Sequence, residues 1–321
     1  MREEYRITGW VFAFVAGFVL AAMYLGGIGG ANSVWFLLNG LQAAAIFVLL
    51  ALGLSLIFGM AGVINFAHGA IFMVGAYATW FVTSLGYSYL TGVLFAIVVT
   101  ALLGLTIEIT GLRRLYDENV LLQVLYTFGL AIALEGLMLL LVGPAARSVA
   151  TPAWGAGSVP VLGVEYPAFR LIIVLVTVVL VLGVWTMLQR TDIGLIIRAG
   201  TRDTEMVQVL GINVQRMFTF VFVVGSALAG IAGSLIAPTQ NLTPGMGNNI
   251  IIDTFVVVVV GGLGSFFGTI LGGISVAQIL TFGGFYPFVE RYQETMIFAF
   301  MALVLLVRPR GFLGRIGLYE E

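Results

Sequence analysis

The chain has 321 residues, 60% hydrophobic and 9% charged, with a formal net charge of -1 at pH 7. So much apolar sequence exceeds what a soluble domain buries and indicates a polytopic membrane protein. All 14 basic residues are Arg, cysteine is absent and His68 is the single histidine. Within this chain that excludes a P-loop, Schiff-base chemistry, disulfides, iron-sulfur clusters and a multi-histidine metal site.

After a charged lead, 1–6, residues 7–28 are apolar for long enough to span a bilayer. They read as a retained first helix rather than a signal peptide, because the apolar run exceeds a signal core and no small-x-small site closes it. Further apolar segments follow at 35–58, 70–84, 89–110, 120–142, 168–188 and 217–237. The series closes with 250–262, 265–282 and 293–307. GLRRLYDEN (111–119) is a compact charged loop, and the Pro/Gly/Ala/Ser-rich stretch 143–167 is expected to be an external loop with short or irregular structure. PTQNLTPGMGNN (238–249) breaks the apolar pattern with Pro and Gly.

Segment 250–262 is too short for an ordinary span of about 20 residues. Counted as a crossing with the N-terminus inside, it places eleven arginines on the cytoplasmic side and only Arg147, Arg170 and Arg291 outside. Without it the split is eight against six, a poor fit to the positive-inside rule. The expected fold is therefore an all-α integral membrane protein of about ten transmembrane segments. It forms a single permease domain over 1–321, with discontinuous helices and both termini cytoplasmic.

The longest polar interruption is 189–216, QRTDIGLIIRAGTRDTEMVQVLGINVQR. It mixes both charge signs with Ile196, Ile197, Met206, Val207, Val209 and Leu210, a pattern of short amphipathic helices that lie on a membrane or dock on a partner. Within it Arg198, Arg202, Glu205, Leu210, Gly211 and Ile212 are the candidate docking residues, and Gly211 is suited to end one short helix before Asn213.

Polar residues inside the apolar segments are the candidates for a translocation path. Asn65, His68 and Gly69, with Gly59 and Gly62, sit where one apolar segment stops and the next begins without a charged loop. They either line a broken helix on the path or cap helix ends. Glu135 is an acid deep in segment 120–142; it either lines the path or holds a neighbouring helix. Asp253 opens the short helix at 250, where a carboxylate favours the N-terminal dipole. The glycines at 261, 262, 264, 268, 272 and 273 read as close packing rather than a phosphate cradle.

Four blocks carry a resemblance: GLSLIFGMAGVINFAHGAIFMVGAY (53–77), IGLIIRAGTRDTEMVQVLGIN (193–213), VVVVVGGLGSFFGTILGG (256–273) and RPRGFLGR (308–315). In this order and spacing the chain resembles the membrane permease subunit of ATP-binding-cassette importers for branched-chain amino acids, the Liv type, and their relatives for urea and short amides. In that family 189–216 is the place of the coupling loop that docks on the ATPase. Val207 and Gly200 stand where the family usually has alanine.

The resemblance implies cytoplasmic ATP-binding subunits, a second and homologous permease, an extracytoplasmic solute-binding protein and a bacterial or archaeal plasma (inner) membrane. This chain itself is then neither an enzyme nor the holder of a cofactor or metal, ATP being used by the partner subunits. With no cluster of charges in the apolar segments, the expected solute is small and neutral or zwitterionic. Branched-chain or other aliphatic amino acids lead, and urea or a short amide is the alternative. An ion-coupled transporter or channel would leave 189–216 unexplained. An intramembrane enzyme would have only carboxylates for its chemistry.

Overall fold

The computed structural model describes residues 31–116, 118–201, 203–284 and 290–314, together with residue 17. The expected first segment, 7–28, and both termini lie outside the described residues apart from residue 17. The long helices are α1 (Ala31–Ala61), α2 (Ala67–Ser84), α3 (Tyr89–Thr110), α4 (Val120–Val142) and α5 (Ala168–Arg190). The short α6 (Asp192–Gly200) and α7 (Thr204–Val209) follow, then α8 (Val214–Ile236), α9 (Met246–Gly261), α10 (Phe266–Gly283) and α11 (Gln293–Val307). Among the described residues six helices are long and apolar enough to cross a membrane: α1, α3, α4, α5, α8 and α10. The shorter α9 and α11 are also apolar.

Local sequence sets most helix starts. Ser88, Asn119, Thr191, Asp203, Asn213 and Ser265 each accept a backbone N–H of the first turn that follows, at α3, α4, α6, α7, α8 and α10. Each cap satisfies a donor that would otherwise have no helical partner.

The stretch 143–167 carries a short hairpin. Ser158–Val161 (β1) and Val164–Pro167 (β2) form an antiparallel hairpin, Val161 facing Val164. The strictly all-α expectation is corrected to that extent, because Leu162-Gly163 makes a two-residue turn with both φ positive.

The chain forms two compact units. One comprises residues 1–51, 153–178 and 253–321. In it the glycine series does pack backbone on backbone: a Cβ on Gly261 would strike Gly268, and one on Gly272 would lie 2.5 Å from Val257 O. Gly262 turns the chain between α9 and α10 with φ +98, a conformation that favours glycine. The segment after α11 folds back on this corner, Phe312 N–H donating to Val260 O at 2.8 Å and Leu313 N–H to Gly261 O at 3.1 Å. The hairpin is fixed by Tyr166, whose hydroxyl donates to Asn39 Oδ1 at 3.1 Å.

The other unit comprises residues 52–152 and 179–252. Here α2, buried along most of its length, packs with α3 and α8 through small residues. A Cβ on Gly75 would lie 2.5 Å from the Gly230 backbone. In lipid, where apolar side chains gain little by leaving solvent, such close approach supplies the dispersion contacts that hold helices together. Thr79 Oγ1 donates to Ser234 Oγ at 2.8 Å and the Tyr89 hydroxyl to Ser234 O at 2.9 Å, so α2 and α3 are both tied to the same serine of α8.

Asp253 does not open its helix. The turn at Pro244-Gly245 starts α9 at Met246, so Asp253 lies in the middle of a 16-residue helix, away from the N-terminal dipole.

Candidate functional site

Between α1 and α2 the helix is interrupted at 62–66, opened by Gly62 with φ +66. An interruption inside an apolar environment frees backbone groups that must find partners. Thr127 of α4 supplies one: its hydroxyl accepts from Phe66 N–H at 3.2 Å and faces Ile64 O at 3.2 Å. Asn65 and His68 are both fully buried. Neither caps α2, whose N-cap is Phe66 with no side-chain hydrogen bond. The amide of Asn65 has no hydrogen-bond partner at either atom, and the His68 ring lies against Gly53, 3.0 Å from where its Cβ would be. Gly69 is in backbone contact with Gly247, where a side chain on either would collide.

Glu135 accepts a hydrogen bond from Asn248 Nδ2 in the first turn of α9. The sequence offered no basic partner for this acid, and the structure answers with an amide. Asn65, His68, Gly69 and Glu135 are thus linked, through Thr127 and through Gly247-Asn248, in the second unit. Asp253 belongs to the other unit.

The polar segment 189–216 folds as α6 and α7. Ile197 and Val207 are buried, while Met206, Val209 and Leu210 are 55, 81 and 71% exposed. Glu205 and Gly211 are exposed and Arg198 and Ile212 half-buried; Arg202 lies outside the described residues. α7 closes as expected at Gly211, which has φ +82 and donates to Gln208 O at 2.9 Å. The outer surface is a short apolar strip among charges, a shape suited to docking in a groove.

A cluster that sequence reasoning missed lies at the end of α3. Glu108, fully buried at the end of α3, is held by Arg113 Nη2 at 2.9 Å and Nε at 3.2 Å. Thr219 Oγ1 of α8 donates to the same carboxylate at 2.8 Å and the Tyr116 hydroxyl at 3.3 Å. The Tyr116 ring meets Phe218 edge-on, centroids 4.8 Å apart. The available signal was the acid at the end of one apolar segment and Arg five residues later; Thr219 is 111 residues away. Burial, the Glu108 charge and the hydrogen bond to it all push the Tyr116 phenol well above its ordinary value, against a smaller opposing effect of Arg113.

The family described as branched-chain amino acid transport system, permease component, matches residues 36–305. The chain belongs to this family of transport permeases. It is 31% identical to the high-affinity branched-chain amino acid transport system permease protein BraD of Pseudomonas aeruginosa, over 87% of this chain and 95% of BraD. Identity to LivH of Salmonella typhimurium is 30%, over 86 and 94%. LivM of the same organism, another permease protein of a high-affinity branched-chain system, is 27% identical over 84 and 68%. A solved ABC transporter of metal-chelate type in an inward-facing conformation shares the fold, with TM-score 0.53, 13% identity and coverage of 95 and 99%. The permease is thus a multi-pass membrane component of a transport system, acting with other components.

Proposed function

We propose that this permease is the membrane-spanning subunit of an ATP-driven importer for branched-chain or other aliphatic amino acids. The observation that carries it is the likeness to BraD and LivH over nearly the full length of all three chains. The likeness to both LivH and LivM supports a passage formed with a second, homologous permease. An extracytoplasmic binding protein delivers the solute, and cytoplasmic ATPases supply the nucleotide chemistry for which this Lys-free, Cys-free chain has no motif. It holds no cofactor or metal of its own. Ten crossings in one permease domain, both termini cytoplasmic, follow from the arginine distribution.

In this reading α6 and α7 are the coupling segment, with Met206, Val209 and Leu210 seated in the ATPase and Arg198, Glu205, Gly211 and Ile212 around them; Arg202 belongs to the docking set by its place in the sequence. The buried, unpartnered amide of Asn65 supports a path that passes the helix break, with His68, Gly69 and Glu135 beside it. Asp253, in mid-helix and half-buried, is retained as a path residue of the other unit. A buried amide without a partner costs about 1–3 kcal/mol, a penalty that a passing polar solute would relieve.

The test is reconstitution with the ATPases, second permease and binding protein in vesicles, following leucine and urea uptake in parallel. Leucine uptake that requires ATP supports the reading, urea uptake alone moves it to the amide branch, and uptake driven by an ion gradient without ATPases removes it. Leu210→Glu is expected to abolish retention of the ATPase with the permease.

A further inference from the structure

α4 meets its neighbours along a polar stripe and through Phe128, whose ring stands edge-on to Phe66 of the break with centroids 6.1 Å apart. The buried residues of α4 are Gln123, Thr127 and Ala131, with Glu135 half-buried one turn further on. Spaced four apart, they share one helix face. On the other faces Leu121, Leu125, Ile132 and Leu140 are exposed.

The polar members of this stripe all grip groups at places where helices start, stop or break. Gln123 Nε2 donates to Leu115 O at 2.8 Å, in the turn that follows α3. Thr127 accepts from Phe66 N–H and faces Ile64 O, on the two sides of the break. Glu135 takes Asn248 at the start of α9. The turn held by Gln123 also carries Arg113 and Tyr116 onto Glu108 and Thr219. Thr219 stands in the second turn of α8, just past the polar segment 189–216. Polar links therefore run from the start of α8, through the turn and α4, to the helix break.

The Thr127 hydroxyl has one proton and two acceptors, Ile64 O at 3.2 Å and Val124 O of its own helix at 3.1 Å. Its proton can pass from Ile64 O to Val124 O while Oγ1 still accepts from Phe66 N–H, so the hold on the Ile64 side can be exchanged without losing a hydrogen bond. Coupling between distant sites is carried by packed side chains and hydrogen-bond networks that have two arrangements, and an exchangeable hydrogen bond of this kind is one.

We infer that Thr127 is a positioning residue for transport, tying the 62–66 break through Gln123 to the end of the permease that carries 189–216. This rests on the proposed coupling role of that segment. Movement imposed there by the ATPases reaches the break through the turn and α4.

The experiment uses the complete transporter in vesicles, with leucine uptake and ATP hydrolysis measured in the same sample. Thr127→Val keeps the shape and removes the hydroxyl; Thr127→Ser restores it. The expected result is a fall in leucine transported per ATP on the order of tenfold in Thr127→Val, with Thr127→Ser close to wild type. A wild-type ratio in Thr127→Val overturns the inference even if less complex is recovered, since a purely structural role changes the amount and not the ratio. So does a Thr127→Ser ratio as low as that of Thr127→Val. If Thr127→Val does not assemble, Gln123→Leu decides from the other end of the link, a lowered ratio supporting and a wild-type ratio overturning it. Wild-type vesicles that hydrolyse ATP without taking up leucine or urea would remove the functional reading itself, and this inference with it.

Discussion

Truncating the two sides of the Glu108–Arg113 pair is expected to give unequal losses. Glu108 is 0% exposed and the Arg113 side chain 32% exposed. Removing one partner of a buried ion pair costs about 3–5 kcal/mol, because the other charge is left uncompensated. In Glu108→Ala the stranded guanidinium is near the surface and can turn to solvent, and Thr219 keeps its 2.9 Å bond to Gln215 O. The cost belongs at the low end, about 3 kcal/mol. In Arg113→Ala the stranded group is a buried carboxylate with only Thr219 and Tyr116 as donors, so the cost approaches about 5 kcal/mol. The double variant removes both charges and is expected to be more stable than Arg113→Ala alone. Thermal unfolding of the detergent-purified permease reads this directly. At roughly 2 °C per kcal/mol, the low end of the range for large domains, the shifts are about 6 °C and about 10 °C. A larger loss in Glu108→Ala than in Arg113→Ala would refute the reasoning, and so would a double variant showing the sum of the single losses.

Three further outcomes are expected. Gly75→Ala puts a methyl 2.5 Å from the Gly230 backbone and should cost about 1–3 kcal/mol or more, whereas Gly129→Ala, with nothing within 4 Å, should be neutral or stabilising by up to about 1 kcal/mol; paired melting curves check the contrast. Because the Tyr116 phenol is raised from an ordinary value of 10.0, the folded state holds its proton where the unfolded state has lost it. That contribution is intact below pH 10.0 and declines as pH rises above it, and Tyr116→Phe should show a shallower alkaline loss of stability; identical alkaline profiles would count against it. Gly211→Pro demands φ near -65° where the chain has +82, and should abolish ATP-driven uptake while membrane insertion, followed by fractionation, is unchanged.

Much of this permease was legible in the sequence because its determinants are local. Apolar runs long enough to satisfy their own backbone in lipid became the long helices, and Ser, Thr, Asp and Asn at their starts became caps that need no distant partner. The same holds for α6, α7 and the glycine that ends α7: alternating charge and apolar residues, then a residue tolerant of positive φ. The four sequence blocks, read together, were enough to place the chain in its family.

Only the tertiary structure decided which faces meet. Helices bordered by lipid on one side and other helices on the other are apolar all round, so periodicity cannot separate the two faces. The stripe Gln123, Thr127, Ala131, Glu135 on α4 is therefore silent until its partners, Leu115, the 62–66 break and Asn248, are in place. Asp253 was misjudged for a related reason. Its helix starts seven residues earlier, at Met246, in a stretch whose Pro and Gly read locally as a break. Glu108 lies near the end of the apolar segment 89–110, and its partner Thr219 is brought to it only by folding. Hydropathy and capping are properties of neighbouring residues, whereas the pairing of buried polar groups depends on residues far apart in the chain.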